Sequence, residues 1–258
     1  MLIVLSPAKT LDMKSDIPAV ETSRPDFLTQ SRKLVKILRE YSAEDLSKLM
    51  KTSEKISIEN HQRYLNWKTP FNEKNARPAI FTFKGDVYLG LEADTFSRAD
   101  LNYAQKHIRI LSGLYGTLRP LDLMQPYRLE MGTALKNDKG KNLYEFWGAD
   151  IAKAINKALK EQKSGVLINL ASNEYFSAID QDALKGNIIT PSFRDFSHGK
   201  YRVLSFFAKK ARGSMAAWII KNRIENPEQL TDFRLGGYRY SKTLSTEGKP
   251  VYTRKQKT

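Results

Sequence analysis

The sequence predicts a single α/β domain built on a mixed sheet flanked by helices. The apolar runs LIVL near the start and VLINL at residues 166–170 are typical of buried strands, whereas residues 143–159 repeat apolar side chains at helical spacing. Segments of the two kinds interleave along the chain, and no Gly/Ser-rich linker divides it. We therefore expect one domain over residues 1–258, with a polar C-terminal tail from about residue 243.

Local sequence patterns predict the strands and helices along the chain. Apolar runs bounded by Ser, Pro, Asn or charged residues predict strands at residues 2–5, 79–83, 166–170, 187–190 and 201–207. A serine hydroxyl can accept an unpaired backbone N–H of a helix's first turn, so Ser42, Ser53 and Ser97 are expected to cap helices. Helices are predicted at residues 27–41, after Ser42, after Ser53, from Ser97 to about residue 111, at 143–159 and at 213–223.

The charge is strongly basic and unevenly distributed. The chain carries 43 Lys+Arg against 28 Asp+Glu, a formal net charge of +15. Residues 200–258 alone hold 14 Lys/Arg and four Asp/Glu. Such a field attracts polyanions, of which nucleic acid is the usual one, although a basic surface without a partner is the alternative.

Several classes of function are excluded by composition. The absence of cysteine rules out disulfides, thiol peroxidase chemistry and Cys-ligated metals. The three histidines are far apart, so no metal site is predicted, and no Walker or G-x-G-x-x-G motif points to a nucleotide cofactor. No apolar run is long enough to span a membrane and the start lacks a secretory pattern, so we expect a cytoplasmic protein with no membrane partner and no cofactor.

Polar clusters follow four of the predicted strands. In open α/β sheets, ligand sites gather outside the carboxyl ends of parallel strands, so these clusters are expected to meet in one basic cleft. The candidate side chains at these positions are Ser6, Lys9, Lys84, Asp86, Glu174, Lys209, Lys210 and Arg212. A polar loop is the alternative for any single cluster.

The densest motif lies between residues 111 and 132. Gly113-Leu114-Tyr115-Gly116 follows a predicted helix and has the pattern of a helix–hairpin–helix, in which glycine N–H groups contact phosphate. Pro120 is unfavourable early in a second helix, so a simple loop is the alternative. Arg119 lies just beyond, and Arg128 and Glu130 would share one face of an extended segment, where they could hold an anion or a base.

Six motifs together resemble the YaaA peroxide-stress family. They are S-P-A-K-T at residues 6–10, F-K-G-D-V-Y-x-G-L at 83–91, L-S-G-L-Y-G-x-L-R-P-L-D at 111–122, P-Y-R-L-E-M-G at 126–132, N-L-A-S-x-E-Y at 169–175 and F-x-A-K-K-A-R-G at 206–213. The resemblance implies a bacterial cytoplasmic protein that protects against hydrogen peroxide and is linked to lower free iron and less Fenton damage. It also implies one α/β domain with a positively charged cleft, and binding of double-stranded DNA with a helix–hairpin–helix that maps onto residues 113–116. Phe206-Phe207 stands where the family typically has Phe-Tyr.

Two functional hypotheses follow. In the first, the protein binds double-stranded DNA largely independently of sequence, and the phosphates contact Ser6, Lys9, Lys84, Gly113, Gly116, Arg119, Arg128, Lys209, Lys210 and Arg212. In the second, the cleft is the active site of an enzyme for a small anionic or nucleobase-like substrate. Lys9, Lys84, Asp86, Glu130 and Glu174 would then be the catalytic residues, because carboxylates and amines suit proton transfer.

Overall fold

A five-stranded mixed sheet forms the centre of the α/β fold. The computed structural model describes residues 1–255. The strands are β1 Leu2–Leu5, β2 Thr10–Leu11, β3 Arg77–Pro78, β4 Phe83–Lys84, β5 Ile108–Ser112, β6 Gly116–Leu118, β7 Leu123–Met124, β8 Val166–Leu170, β9 Asn187–Ile189, β10 Ser192–Ser197, β11 Lys200–Arg202, β12 Arg239–Tyr240 and β13 Val251–Arg254. The α-helices are α1 Leu28–Leu38, α2 Ala43–Met50, α3 Glu54–Asn66, α4 Ala79–Thr82, α5 Asp86–Leu91, α6 Arg98–His107, α7 Leu143–Trp147, α8 Asp150–Lys160, α9 Asn173–Phe176 and α10 Ser205–Lys221.

The central sheet has the order β6-β5-β1-β8-β9. Strand β1 pairs in parallel with β5 and β8, β8 pairs in parallel with β9, and β6 is antiparallel to β5. All four residues of β1 are fully buried, which explains its uninterrupted apolar sequence. Because β1, β5 and β8 run in the same direction, their carboxyl ends meet at one edge of the sheet.

A second, four-stranded sheet has the order β11-β10-β13-β12. Its inner face packs toward α10 and is held by a buried carboxylate, Asp195, which accepts hydrogen bonds from Arg254 Nε at 2.7 Å and Tyr238 OH at 2.8 Å. Arg254 also lies over the ring of Phe207 on α10, 4.7 Å from its centroid. These contacts attach the C-terminal strand to the body of the fold.

Helices α5 and α10 approach each other at two glycines. A Cβ on Gly213 would lie 1.7 Å from the carbonyl oxygen of Val87, and a Cβ on Gly90 would lie 2.0 Å from the carbonyl oxygen of Lys210. Since real side chains do not approach so closely, only glycine allows the two backbones to touch here. This contact holds α10 against α5.

The structure confirms the strands at residues 2–5 and 166–170, and the capping of α2 and α6 by Ser42 and Ser97. It corrects four other boundaries. Residues 79–82 form a short helix before β4, residues 108–112 form a strand instead of continuing α6, residues 143–159 are interrupted at Gly148, and α10 already begins at Ser205. Residues 201–207 (YRVLSFF) were wrongly predicted as one strand. In so short an apolar run, the spacing of apolar side chains does not distinguish a strand from a buried helix.

The predicted helix–hairpin–helix at residues 113–116 is wrong. Gly113–Gly116 form the buried turn between β5 and β6, where Ser112 pairs with Gly116 and Trp147 Nε1 donates to the Gly113 carbonyl at 3.0 Å. A Cβ on Gly113 would meet the Leu129 carbonyl oxygen at 2.3 Å, so this glycine serves close packing. The turn is therefore buried and connects two strands instead of two helices.

The predicted polar tail from residue 243 is also wrong over the described residues. β13 lies inside the second sheet, and Tyr252 is fully buried, donating its hydroxyl to the Leu230 carbonyl at 2.8 Å. The sequence signal was weak because this strand is only four residues long and is surrounded by polar residues. Residues 256–258 of the predicted tail lie outside the described residues.

Candidate ligand-binding cleft

A cavity of about 500 Å³ lies where β1 and β8 end. Nine of the residues predicted for the site line it, namely Ser6, Lys9, Lys84, Asp86, Arg128, Glu130, Glu174, Lys209 and Arg212. They come from distant segments that the parallel sheet and the α5–α10 contact bring together. The predicted polar clusters thus do meet in one cavity. Two of them do not follow strands of the central sheet, because one lies at β4 and the start of α5 and the other lies on α10.

The segment after β1 forms the wall of the cleft. Ser6 Oγ accepts the backbone N–H of Ser172 at 2.8 Å, which joins the ends of β1 and β8. Tyr88 OH on α5 donates to the Ser6 carbonyl at 3.0 Å. Thr10 pairs with Lys84 in the short β2–β4 ladder, so Lys9 and Lys84 lie at neighbouring positions.

Glu130 connects two cations inside the cleft. Its Oε2 lies 2.9 Å from Lys9 Nζ, and its Oε1 accepts from the Arg128 guanidinium at 2.9 Å. The Tyr64 hydroxyl donates to the backbone carbonyl of Arg128 and holds this extended segment in place. Arg128 Nε is buried and has no hydrogen-bond partner within residues 1–255.

The other carboxylates differ in their surroundings. Glu174 Oε1 accepts the Gly132 backbone N–H at 3.0 Å. Lys84 Nζ lies 3.0 Å from Asp12, whose pKa is held well below its usual range by hydrogen bonds from Ser15 and, to a lesser extent, from Lys84. The side chain of Asp86, in the first turn of α5, has no hydrogen bond or ion pair with any other described residue.

Helix α10 contributes two cations to the lining of the cleft. Lys209 is exposed, whereas Arg212 is partly buried and burial lowers the pKa of its guanidinium. The Arg212 guanidinium makes no ion pair or hydrogen bond with the residues that the structure describes. A partly desolvated cation without a counter-charge favours an anion beside it.

Tyrosines complete the lining of the cavity, and they were not among the predicted site residues. Tyr88, Tyr127 and Tyr175 line it, and burial raises the pKa of each hydroxyl. They therefore stay neutral at physiological pH and supply aromatic surface and hydroxyl groups. Their positions inside the motifs at residues 83–91, 126–132 and 169–175 were the available signal.

Four predicted phosphate-contacting residues do not line the cavity. Gly113 and Gly116 are buried in the β5–β6 turn. Arg119 forms ion pairs with Asp122 at 3.0 Å and Asp26 at 3.3 Å. Lys210 is on α10 and exposed to solvent outside the cavity.

The described part of the chain contains no cluster of three or more His, Asp or Glu side chains arranged to hold a metal ion. Within the same residues, no helix combines the length and apolarity needed to cross a membrane. The cleft offers five cationic side chains, three carboxylates, hydroxyl groups and tyrosine rings. This donor set suits an anionic organic ligand that also presents hydrogen-bonding groups.

Comparisons with known proteins agree with the motifs. The family model described as peroxide stress protein YaaA matches residues 1–244. A UPF0246 protein of Alcanivorax borkumensis is 54% identical over 254 residues, covering 98% of both chains. A UPF0246 protein of Saccharophagus degradans is 52% identical over 256 residues, covering 99% of this chain and 100% of the relative. Identity at this level over the whole length leaves one assignment: the chain belongs to the YaaA family of peroxide stress proteins.

Proposed function

We propose that this peroxide stress protein binds double-stranded DNA largely independently of sequence, with the backbone phosphates at the mouth of the cleft. The observation that carries the proposal is the convergence of Lys9, Lys84, Lys209 and Arg212 from three separate segments on one cavity. We also propose, from the family resemblance, that the protein acts in the cytoplasm and is linked to lower free iron.

The ion pairs at the mouth do not prevent phosphate contacts. The side chains of Lys9 and Lys84 are 63% and 59% exposed despite their pairs with Glu130 and Asp12. The two carboxylates are only 26% and 15% exposed, but the lysine ends reach solvent, where an ion pair is worth about 0–1 kcal/mol, so a phosphate can replace the carboxylate. Lys209 and Arg212 have no such competitor among the described residues.

The test is duplex affinity as a function of salt. Affinity of the wild type for a short labelled duplex should fall steeply between roughly 50 and 200 mM salt, because each neutralised phosphate releases counterions. The triple variant Lys9→Ala/Lys84→Ala/Lys209→Ala should bind more weakly, and the slope of log affinity against log salt should be smaller by about 2 to 3.

A charge-matched control uses three exposed lysines away from the cleft, Lys33→Ala/Lys48→Ala/Lys139→Ala. This variant has the same net charge as the cleft variant and should keep the wild-type slope. Equal losses in both triple variants would show that the cleft has no special part in binding. Salt-independent binding would contradict the proposal altogether.

A second candidate function is supported by the interior of the cavity. Its volume of about 500 Å³ suits a small molecule, and Arg212 and Asp86 both face it without partners among the described residues. An arginine to hold an anionic group and a free carboxylate to move a proton are the minimum for acid–base chemistry. We therefore keep an enzyme acting on a small anionic or nucleobase-like substrate as the alternative.

A variant that loses protection against peroxide but keeps duplex binding would support this alternative. Asp86→Asn should abolish rescue of peroxide sensitivity in cells that lack their own family member, while leaving duplex affinity at the wild-type level. Asp138→Asn, an exposed carboxylate paired with Lys33, is the matched control and should rescue fully. Full rescue by Asp86→Asn would contradict an acid–base role for this carboxylate.

A further inference from the structure

The second sheet has an outer face that the cleft does not use. In β10, Phe193 and Asp195 are buried on the inner face, so Arg194 and Phe196 point outward. The pairing register of the strands shows which residues continue this face across the sheet. Tyr201 of β11 lies opposite Phe196, Thr253 of β13 lies opposite Arg194, and Arg239 of β12 lies opposite Thr253.

These side chains, with Lys255 directly after β13, form two parallel rows, which together cross the four strands. The first row holds Tyr201, Phe196 and Lys255. The Phe196 and Tyr201 ring centroids are 5.3 Å apart, and Lys255 Nζ lies 5.5 Å from the Phe196 centroid. The second row holds Arg194, Thr253 and Arg239. Both rows thus combine cations with aromatic rings or a hydroxyl.

Packing of the hydrophobic core does not account for this face. Phe196 is 41% exposed, while the inner face already contains the packed rings of Phe193, Phe233 and Tyr252. A sheet normally places polar residues on its open side. The outward positions of the four strands, all within the described residues, carry no Asp or Glu, so the face is complementary to a polyanion.

We propose that this face binds a single-stranded nucleic acid, with unpaired bases stacked on Phe196 and Tyr201 and phosphates at Arg194, Arg239 and Lys255. Open sheets that display aromatic rings between basic residues bind single strands in this way, because every base has a face that can stack. A duplex keeps its bases stacked on one another and cannot use the rings. The site lies outside the cleft and does not depend on the function proposed for it.

The experiment measures fluorescence anisotropy with labelled oligothymidine and oligouridine of about 12 nucleotides, and with an abasic oligonucleotide of the same length. Wild type should bind at least one of the base-containing strands about tenfold or more tightly than the abasic strand, because stacking contributes for each base. Comparing the two strands shows whether DNA or RNA is the better ligand.

Ring-deleting variants locate the stacking. Phe196→Leu and Tyr201→Leu keep an apolar side chain and should each weaken binding of the base-containing strand about tenfold, while binding of the abasic strand stays unchanged. Phe206→Leu is the matched control, since Phe206 is 55% exposed but lies on α10, on the other side of the sheet. Unchanged melting temperatures will show that all three variants are folded.

Two results would overturn the proposal. One is equal affinity of wild type for the abasic and both base-containing strands, which would reduce the contact to charge alone. The other is an equal loss in Phe206→Leu and in the two sheet variants. Affinity for duplex DNA distinguishes this site from the cleft. It should be unchanged in Phe196→Leu and Tyr201→Leu and should fall in the cleft triple variant.

Discussion

Replacing Gly213 by alanine tests the helix contact that positions the cations of α10. The added Cβ would lie 1.7 Å from the Val87 carbonyl oxygen and 2.7 Å from the Leu91 backbone nitrogen. To restore ordinary contact distances of about 3.5 Å or slightly less, α10 must move away from α5 by more than about 1 Å. Both obstacles are backbone atoms, so no flexible side chain can give way.

Two effects of opposite sign decide how far Gly213→Ala changes the free energy of unfolding. Alanine is better than glycine in a helix by about 1 kcal/mol. Overpacking typically costs about 1–3 kcal/mol, and this site belongs at or above the upper end because the obstacles are rigid. The net loss in free energy of unfolding should therefore be about 2 kcal/mol, which lowers Tm by roughly 4 to 8 °C for a chain of this size.

Thermal and urea denaturation measure this effect, with Lys210→Ala on the exposed side of α10 as the control. The control removes a side chain without adding an atom between the helices and should melt within about 2 °C of wild type. Gly213→Ala should also weaken duplex binding, since Lys209 is on the displaced helix. A melting temperature for Gly213→Ala equal to or above that of wild type would refute the reasoning.

Three further outcomes are expected. Asp195→Ala removes a fully buried carboxylate and leaves the partly buried Arg254 guanidinium without its counter-charge. It should destabilise the fold by about 3–5 kcal/mol in urea titrations, so a loss below 1 kcal/mol would contradict the importance of this pair. Burial lowers the pKa of His107, so the folded state resists protonation of this side chain. The contribution of His107 to the free energy of unfolding should be complete above about pH 6.5 and should be lost as the pH falls toward the lowered pKa. His107→Gln should therefore flatten the plot of unfolding free energy against pH in this range. Tyr64→Phe removes the donor to the Arg128 carbonyl and should lower the free energy of unfolding by about 1 kcal/mol, whereas no change would show that this hydrogen bond is replaced by water.

Elements with strong local signals were predictable from the sequence. β1 and β8 are apolar throughout because both faces of the central sheet are covered, and Ser42 and Ser97 cap α2 and α6 through hydroxyl and backbone geometry contained within four residues. Most of the cleft residues were also predictable, because Ser6 and Glu174 follow β1 and β8 directly or within a few residues. Such signals depend on neighbours in the chain and are therefore visible before folding.

The misassigned segments depend on partners far away in the chain. β13 is a strand because β10 and β12 lie on either side of it, and Gly113 is required by the approach of Leu129, a contact that local sequence does not contain. The same holds for the outer face of the second sheet, where register alone places Tyr201 beside Phe196 and Arg239 beside Thr253.

The sequence by itself determined the α/β class, the basic charge, the family and most of the residues of the cleft. Tertiary structure decided which of those residues meet, that Gly113 and Gly116 lie in the turn between two strands, and that α10 brings Arg212 into the same cavity as Asp86. The physical reason is that side-chain spacing reports local backbone geometry, whereas a ligand site is an arrangement of groups whose distances are set by the packing of helices and strands that are remote in sequence.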